Sequence, residues 1–451
     1  WDASSLIMKY FKTYFPESES KPEPEPQPKP ETEENLDTYT FFGKQHVNLS
    51  YSVNNKIENS FKKNGGENYI EDIGDLNGGK DYTANERNNY DLYIPDSALK
   101  KVNESNGIML WIHGGAWIEG DKTKIEDLCE MYAEQGYITA SMGYTLLNGQ
   151  YEEANIYRIM DEITACIKAI KEKLKEKKID VNNLIMAIGG YSAGGHLALL
   201  YTYLIKNINI IPIKFVVDIV GPVGLHEKYF YKLKNEDEPL DNIDNSTIIE
   251  ELEKDGTLIK IFNSSQILLL MNAFSGNKYT QYLSSMLHNG EIDTTNPKYI
   301  EMYNYIKYGY ITEIEEKHKI PTIAIYGGID NILGVSTYAY LKEKADKDGK
   351  HLDYIYSKYE GHMLIMPETN DGKHTMWNAS TLIMKYFKKY FPESEPEPIF
   401  DPYIFFGGKY LNLSYSEDNK IVNSFKYGEE NYIDEIGNLN DGNDYTANER
   451  N

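Results

Sequence analysis

Cysteine is scarce in this chain. Cys129 and Cys166 are the only two, too few for a disulfide framework and without the paired spacing of a zinc site. Long apolar runs are missing as well, and nothing approaches the ~18 consecutive apolar residues of a membrane-spanning helix, so no membrane span is expected. Basic charge is in deficit, with 46 Lys and Arg against 70 Asp and Glu and a net charge of −24. A nucleic-acid backbone would be repelled by such a surface, and no nucleic-acid partner is expected. The acidity reads as solubility. There is no His-x-x-x-His pair, no ladder of carboxylates at metal-binding spacing and no phosphate-loop lysine motif. Neither a metal nor a cofactor is therefore expected. The opening WDASSLIMKYF lacks an initiator Met, a basic leader and a small-residue cleavage site, which places any signal peptide outside this chain. The cellular address is left open, with an extracellular or cell-surface home slightly favoured by the linkers and the scarcity of cysteine. Tyrosine, by contrast, is abundant at 39 residues, a composition that suits tyrosine-lined sugar sites but more often reflects codon bias.

The sequence repeats itself. WDASSLIMKYFKTYFPESE at 1–19 returns as WNASTLIMKYFKKYFPESE at 377–395, the FFG segment from Phe41 returns from Phe405, and DYTANERN at 81–88 returns at 444–451. Pro- and Glu-rich stretches lie between the copies and are too polar to bury a core. The expected organisation is the C-terminal helix of a preceding repeat at 1–16, a linker at 17–37 and one complete domain at 38–394. A second linker at 395–401 and the N-terminal part of a following repeat at 402–451 complete it. Neighbouring repeats of one polypeptide are possible partners. Residues 402–451 lack the next strand of their unit, so they are expected to form no sheet alone, and to be loosely ordered or docked on a neighbour.

Within the complete unit, short apolar runs bounded by turn residues predict strands at 88–95, 108–112, 137–144, 184–190, 215–221, 322–328 and 352–357. Helical spacing of Ile156, Ile159, Met160, Ile163, Ile167, Ile170 and Leu174 predicts a helix between Glu153 and Lys177. Alternating strands and helices imply an α/β, doubly wound, mostly parallel sheet. The long polar stretch from about 226 to 319, with helical pattern and few strand signals, reads as a cap inserted between two strands.

The chemistry is carried by Gly190-Tyr191-Ser192-Ala193-Gly194, where an apolar strand gives way to a helical pattern. A strained strand-to-helix turn needs small neighbours, here Gly190 and Gly194, to lift the Ser192 hydroxyl above a sheet. His113-Gly114-Gly115-Ala116-Trp117 follows another strand. Acyl transfer creates an oxyanion that needs preorganised N–H donors, and Gly115, Ala116 and Ala193 are the candidates. Gly114 serves the turn and His113 braces it. The other triad members should follow the serine in the order acid, then histidine, each at a strand end. Asp330 and His362 meet that condition, with Asp218 as the main rival acid and Asp353 a weaker one. His46, His226, His288, His318, His351 and His374 lack such a context and are assigned to surface or packing. His196, in the first turn behind the serine, is assigned to helix packing.

At these motifs the unit resembles the α/β-hydrolase superfamily. The HGGAW loop followed by Ile118-Glu119-Gly120-Asp121-Lys122 resembles bacterial lipase/esterase-type carboxylesterases related to the hormone-sensitive lipase and feruloyl esterase groups, over roughly Asn88 to Phe391. The resemblance implies that Ser192 is acylated, that Asp330 and His362 complete its triad and that the HGG loop holds the oxyanion. Ala116 stands where the usual loop has a third glycine, which keeps the backbone donor but narrows the acyl pocket. The expected activity is that of a serine carboxylic ester hydrolase acting on small or carbohydrate-linked ester substrates. An arylformamidase-like amide hydrolase with the same residues, or a non-catalytic tandem-repeat binding or structural protein on the hydrolase fold, stand as the alternatives.

Overall fold

The computed structural model describes residues 38–40, 43–100, 107–241, 243, 245–315, 318–349, 352–362 and 364. It also describes 383, 386, 387 and 389–391, and the short pairs 420–421 and 445–446. The leading segment 1–16, both linkers, His351 and His374 lie outside the described residues. The chain divides into two compact units, 1–399 and 400–451.

The first unit is organised by a nine-stranded sheet. Its strands are β1 (Thr38–Thr40), β2 (Gly43–Ser50), β3 (Asn89–Ile94), β4 (Gly107–Ile112), β5 (Ile138–Met142), β6 (Ile185–Tyr191), β7 (Ile213–Ile219), β8 (Thr322–Gly327) and β9 (Leu352–Ser357). They lie in the order β1-β2-β3-β5-β4-β6-β7-β8-β9. From β5 to β9 every neighbouring pair is parallel, while β1, β2 and β3 join antiparallel. The parallel strands are covered on both faces, so β4 and β5 are buried along their whole length, which is why they read as unbroken apolar runs. The hairpin β1–β2 was not among the expected strands, and β3, within the strand expected at 88–95, pairs antiparallel with both of its neighbours.

Helices α1 (Glu126–Glu134), α2 (Ile156–Glu176) and α3 (Ala193–Leu204) connect these strands. α2 begins where Asn155 accepts the Tyr157 and Arg158 N–H groups, satisfying two donors that have no partner within the helix. Its apolar stripe, Ile156 through Leu174, is buried. α3 is buried all round, as expected of a helix clamped between the sheet and the insertion that follows β7.

That insertion, between β7 and β8, holds α4 (Ser246–Lys254), α5 (Ser264–Phe274) and α6 (Pro297–Ile306). It is not purely helical. Tyr231–Leu233 pairs with Leu258–Lys260, and Leu287–His288 with Glu291–Ile292. Helix α7 (Ser336–Lys347) leads from β8 to β9. Cys129 and Cys166 are buried free thiols, pushed well above the ordinary thiol range by burial, which makes both poor nucleophiles. No described helix is long and apolar enough to cross a membrane.

In the second unit, Lys420–Ile421 pairs antiparallel with Tyr445–Thr446, Lys420 opposite Thr446 and Ile421 opposite Tyr445. The first unit holds the same residues in the same register, Lys56 opposite Thr83 and Ile57 opposite Tyr82. The recurrence in sequence is thus a recurrence in backbone pairing.

Candidate active site

Ile112 at the end of β4 lies in register with Gly190 near the end of β6, and Gly327 of β8 with Ser357 of β9. The loops carrying the HGGAW segment, the serine, the aspartate and the histidine therefore leave one edge of the sheet. In open α/β sheets this edge, where the strand order reverses, is where ligands gather.

Between β6 and α3, Ser192 takes φ 54° and ψ −120°, a left-handed conformation costly for a residue with a side chain. The surroundings enforce it. Ser192 N–H donates to Ile219 O at 2.7 Å, and a Cβ on Gly190 or Gly194 would collide with backbone, that of Gly194 in the first case and of Ile112 in the second. The serine is held proud of the sheet because Gly190 and Gly194, two residues to either side, have no side chains.

The structure brings three expected side chains into one hydrogen-bonded line. Ser192 Oγ lies 3.1 Å from His362 Nε2, and His362 Nδ1 lies 2.8 Å from Asp330 Oδ2. Since a carboxylate only accepts, the ring proton sits on Nδ1 and Nε2 is left to accept from the serine hydroxyl. Asp330 is fixed in turn by the Ile332 and Leu333 N–H groups on Oδ1, at 2.8 and 2.9 Å. Tyr191 Oη donates to His362 O at 2.5 Å, so the residue before the serine also anchors the histidine's backbone. Asp330 and His362 are both buried.

The rival acids are engaged elsewhere. Asp218 is buried, with Oδ1 accepting from Gly221 N–H at 2.9 Å. Tyr326 Oη lies 2.5 Å from Asp218 Oδ2 and 2.6 Å from Gly221 O. One hydroxyl proton cannot serve both oxygens, which points to a protonated Asp218 at one end of the chain, in line with a carboxyl pushed up to about 7 by burial. Asp353 accepts from Tyr386 Oη.

Alongside the elbow runs the HGGAW loop. A Cβ on Gly114 would lie 2.9 Å from Tyr191 O and 3.2 Å from Ser192 Cβ, so only glycine lets the loop come this close. Gly115, Ala116 and Trp117 have φ values of 109°, 48° and 64°, a left-handed run. Ala193 opens α3, where an amide has no acceptor within the helix. These are the placements of the three expected oxyanion donors.

His113 braces this loop. Its ring stacks on Tyr144 at 4.3 Å, and Nδ1–H donates to Gly114 O at 2.7 Å. Arg87, which had no assigned role, reaches in from the 81–88 segment. It donates to Gly120 O, pairs with Asp121 at 3.2 Å and lies 3.4 Å from His113 Nε2. Lys122 forms a buried pair with Asp91 of β3 at 2.7 Å, which accounts for the polar end of the Ile-Glu-Gly-Asp-Lys stretch. The signal that could have found Arg87 is the unchanged return of DYTANERN at 444–451.

Residues 90–264 match the family model described as BD-FAE. The matched stretch, about two fifths of the chain, holds the HGGAW loop and Ser192 and ends before Asp330 and His362. A stretch of 151 residues, 33% of the chain, is 25% identical to the non-reducing polyketide synthase atr1 of Stereocaulon alpinum, and spans about 6% of that protein's length. Among solved structures, esterase B from Lactobacillus rhamnosis is 13% identical over 76% of this chain and 85% of its own, with a TM-score of 0.45. A truncated carbohydrate esterase from gut microbiota is 16% identical over 73% and 91%, with a TM-score of 0.44. No group of three or more His, Cys, Asp and Glu side chains placed to hold a metal is found among the described residues.

His196, behind the elbow, donates from Nε2 to Gly309 O at 2.7 Å, linking α3 to the insertion. It meets Trp117 edge-on at 5.3 Å. Burial lowers its pKa from 6.5 to about 4. A neutral histidine in the fold that is free to charge when unfolded stabilises fully above pH 6.5, and that contribution is lost as pH falls toward 4. Wild type is expected to lose on the order of 2–3 kcal/mol more than His196→Gln over this window, measured as the difference in urea unfolding free energy. His113 and Asp218, common to both proteins, cancel. Parallel pH profiles would show that His196 does not titrate this way.

Proposed function

We propose that the hydrolase domain cleaves carboxylic esters through an acyl-enzyme on Ser192, acting on small or carbohydrate-linked esters. The observation that carries the reading is the line from Asp330 through His362 to Ser192, at a left-handed elbow beside a glycine loop. His362 Nε2 takes the hydroxyl proton as Ser192 Oγ attacks the ester carbonyl, while Asp330 keeps the imidazole in the tautomer that can accept it. The N–H groups of Gly115, Ala116 and Ala193 stabilise the negative oxygen of the tetrahedral intermediate. Collapse releases the alcohol with the proton held by His362, and a water repeats the sequence to free the acid.

We further propose that the chain is a window on a tandem array of such units. Support comes from the paired segments and from the shared register of Lys56–Ile57 and Lys420–Ile421 with their partners.

The test is activity-based. The full chain, treated with a fluorophosphonate, is expected to carry one adduct, mapped by mass spectrometry to the peptide containing Ser192, and to turn over p-nitrophenyl acetate. A folded chain that takes no label would sink the catalytic reading.

A further inference from the structure

Asp218, wholly buried in β7, opens a strained turn at the end of that strand. Val220 takes φ 46°, a left-handed conformation that a β-branched side chain rarely adopts. Backbone of this kind persists only where its surroundings over-determine it, and here it is held by hydrogen bonds. The Val220 N–H donates to Ile325 O at 2.8 Å, and the Gly221 N–H donates to Asp218 Oδ1 at 2.9 Å. The Gly221 carbonyl lies 2.6 Å from Tyr326 Oη.

The same turn backs the nucleophile elbow. Ile219 O accepts the Ser192 N–H at 2.7 Å, and Ile219 lies in register with Tyr191. A Cβ on Gly221 would collide with Asp218 Oδ1 and with the backbone of Gly195 and His196, in the first turn of α3. One on Gly195 would meet the same carboxyl oxygen. The Asp218 carboxyl is thus wedged between the turn and the start of α3, in room left by two glycines.

The protons follow from the distances. Tyr326 has one hydroxyl proton and two oxygens in reach, Asp218 Oδ2 at 2.5 Å and Gly221 O at 2.6 Å. A neutral Asp218 satisfies both: the acid donates to Tyr326, and Tyr326 donates to Gly221 O. On ionisation the tyrosine proton turns to the carboxylate, and the Gly221 carbonyl loses its tie to Tyr326. The titratable groups around the carboxyl are Tyr326 of β8, Tyr354 of β9 and, beyond Tyr326, Asp330. Tyr203 of α3 and Tyr338 and Asp346 of α7 stand beyond Tyr354. His196 of α3 is kept neutral by burial. Among these described residues none brings a positive charge to steady a carboxylate, and burial pushes Asp218 up to about 7.

We propose that Asp218, as the neutral acid, is a positioning residue of the elbow: with Tyr326 it clamps the 219–221 turn and so fixes the Ser192 amide. Its bearing on turnover rests on the esterase reading above. Two measurements on the full chain test the role. Hydrogen exchange followed by mass spectrometry reports on the Ser192 amide whether or not an ester is cleaved. Asp218→Ala is expected to speed exchange in the peptide holding residues 191–196 about tenfold. Asp218→Asn, which can donate to Tyr326 and accept from Gly221, should stay near wild type. With p-nitrophenyl acetate, Asp218→Ala should lose about a hundredfold in kcat at little change in KM, and Asp218→Asn should restore most of it. Wild type should also lose kcat on the alkaline side as the acid ionises, a loss absent from Asp218→Asn. Should Asp218→Ala fail to fold, Tyr326→Phe removes only the hydroxyl and is expected to cost about tenfold in kcat. Exchange and kcat untouched by Asp218→Ala, or by Tyr326→Phe in its place, overturn the role. So does an Asp218→Asn chain that falls as far as Asp218→Ala. The expected exchange pattern in a chain that turns over no ester would leave the clamp standing and sink the esterase reading alone.

Discussion

Turnover of p-nitrophenyl acetate is expected to fall by about 10⁶ in Ser192→Ala and by about 10⁴ in Asp330→Asn. The two losses differ because the residues act at different removes. Without the serine hydroxyl there is no acyl-enzyme, and only the residual effect of binding and the oxyanion donors survives. With asparagine at 330 the carboxamide can offer an N–H toward His362 Nδ1, which stabilises the tautomer whose proton sits on Nε2, facing the serine. Attack then lacks a base although every atom is close to its place. Asp330→Asn should retain an oxygen for Ile332 and Leu333, the donors to Oδ1, so its unfolding free energy should change little. Steady-state kinetics beside urea unfolding separates the effects. Asp330→Asn with near-normal turnover would return the acid's role to another residue, and Asp218→Asn would be the next variant to make.

Loss of about 3–5 kcal/mol of stability is expected for Glu162→Ala. Glu162 and Arg158 are almost wholly buried on α2 and pair at 2.9 Å. The carboxylate also accepts from Asn88 Nδ2 and Thr145 N–H, both at 2.8 Å, while Arg158 reaches Thr83 O at 2.7 Å and Glu153 at 3.1 Å. Removing Glu162 leaves the Arg158 Nε–H and the Thr145 N–H in the core without their acceptor, while Glu153 and Thr83 still hold the outer end of the guanidinium. The double change Arg158→Met with Glu162→Leu should recover part of the loss, because it removes both charges together. Urea denaturation reads both, and a Glu162→Ala loss below about 1 kcal/mol would show that water enters to replace the carboxylate. The network also matters for the site: Thr145 leads to Leu147, whose N–H donates to Trp117 O at 2.7 Å in the HGGAW loop.

Much of this was legible in the sequence, for identifiable reasons. Strands β4 through β8 sit inside a sheet covered on both faces, so burial forces continuous apolar runs, several ended by glycines. The hairpin β1–β2 escaped notice because β2 is an outer strand, mixes Lys44, Gln45, His46 and Asn48 with apolar residues, and shifts register between His46 and Leu49. The insertion's ladders are two or three residues long, too short for a period to show. Ser192, Asp330 and His362 stood out because acid and histidine each follow a strand end in the required order. The structure places them within hydrogen-bond reach of one another. Arg87 and Tyr191 could not be read in the same way. Their roles depend on meeting Gly120 and the His362 carbonyl, contacts made only once strands far apart in the chain lie side by side.

The ladder that joins Lys56–Ile57 to Tyr82–Thr83, and its twin in the second unit, bears on how such a chain acquires its structure. Closing a loop of this size costs little chain entropy, and the cost grows only slowly with length, so each ladder can form from its own neighbourhood early in folding. Near-identical segments in one polypeptide are otherwise prone to trade places, one copy's strand pairing with the other's partner, as happens during misassembly of repeat proteins. A pairing that closes locally gains speed over one that must span a whole domain. On this argument each two-residue ladder is expected to close within its own copy sooner than any pairing that has to span the domain.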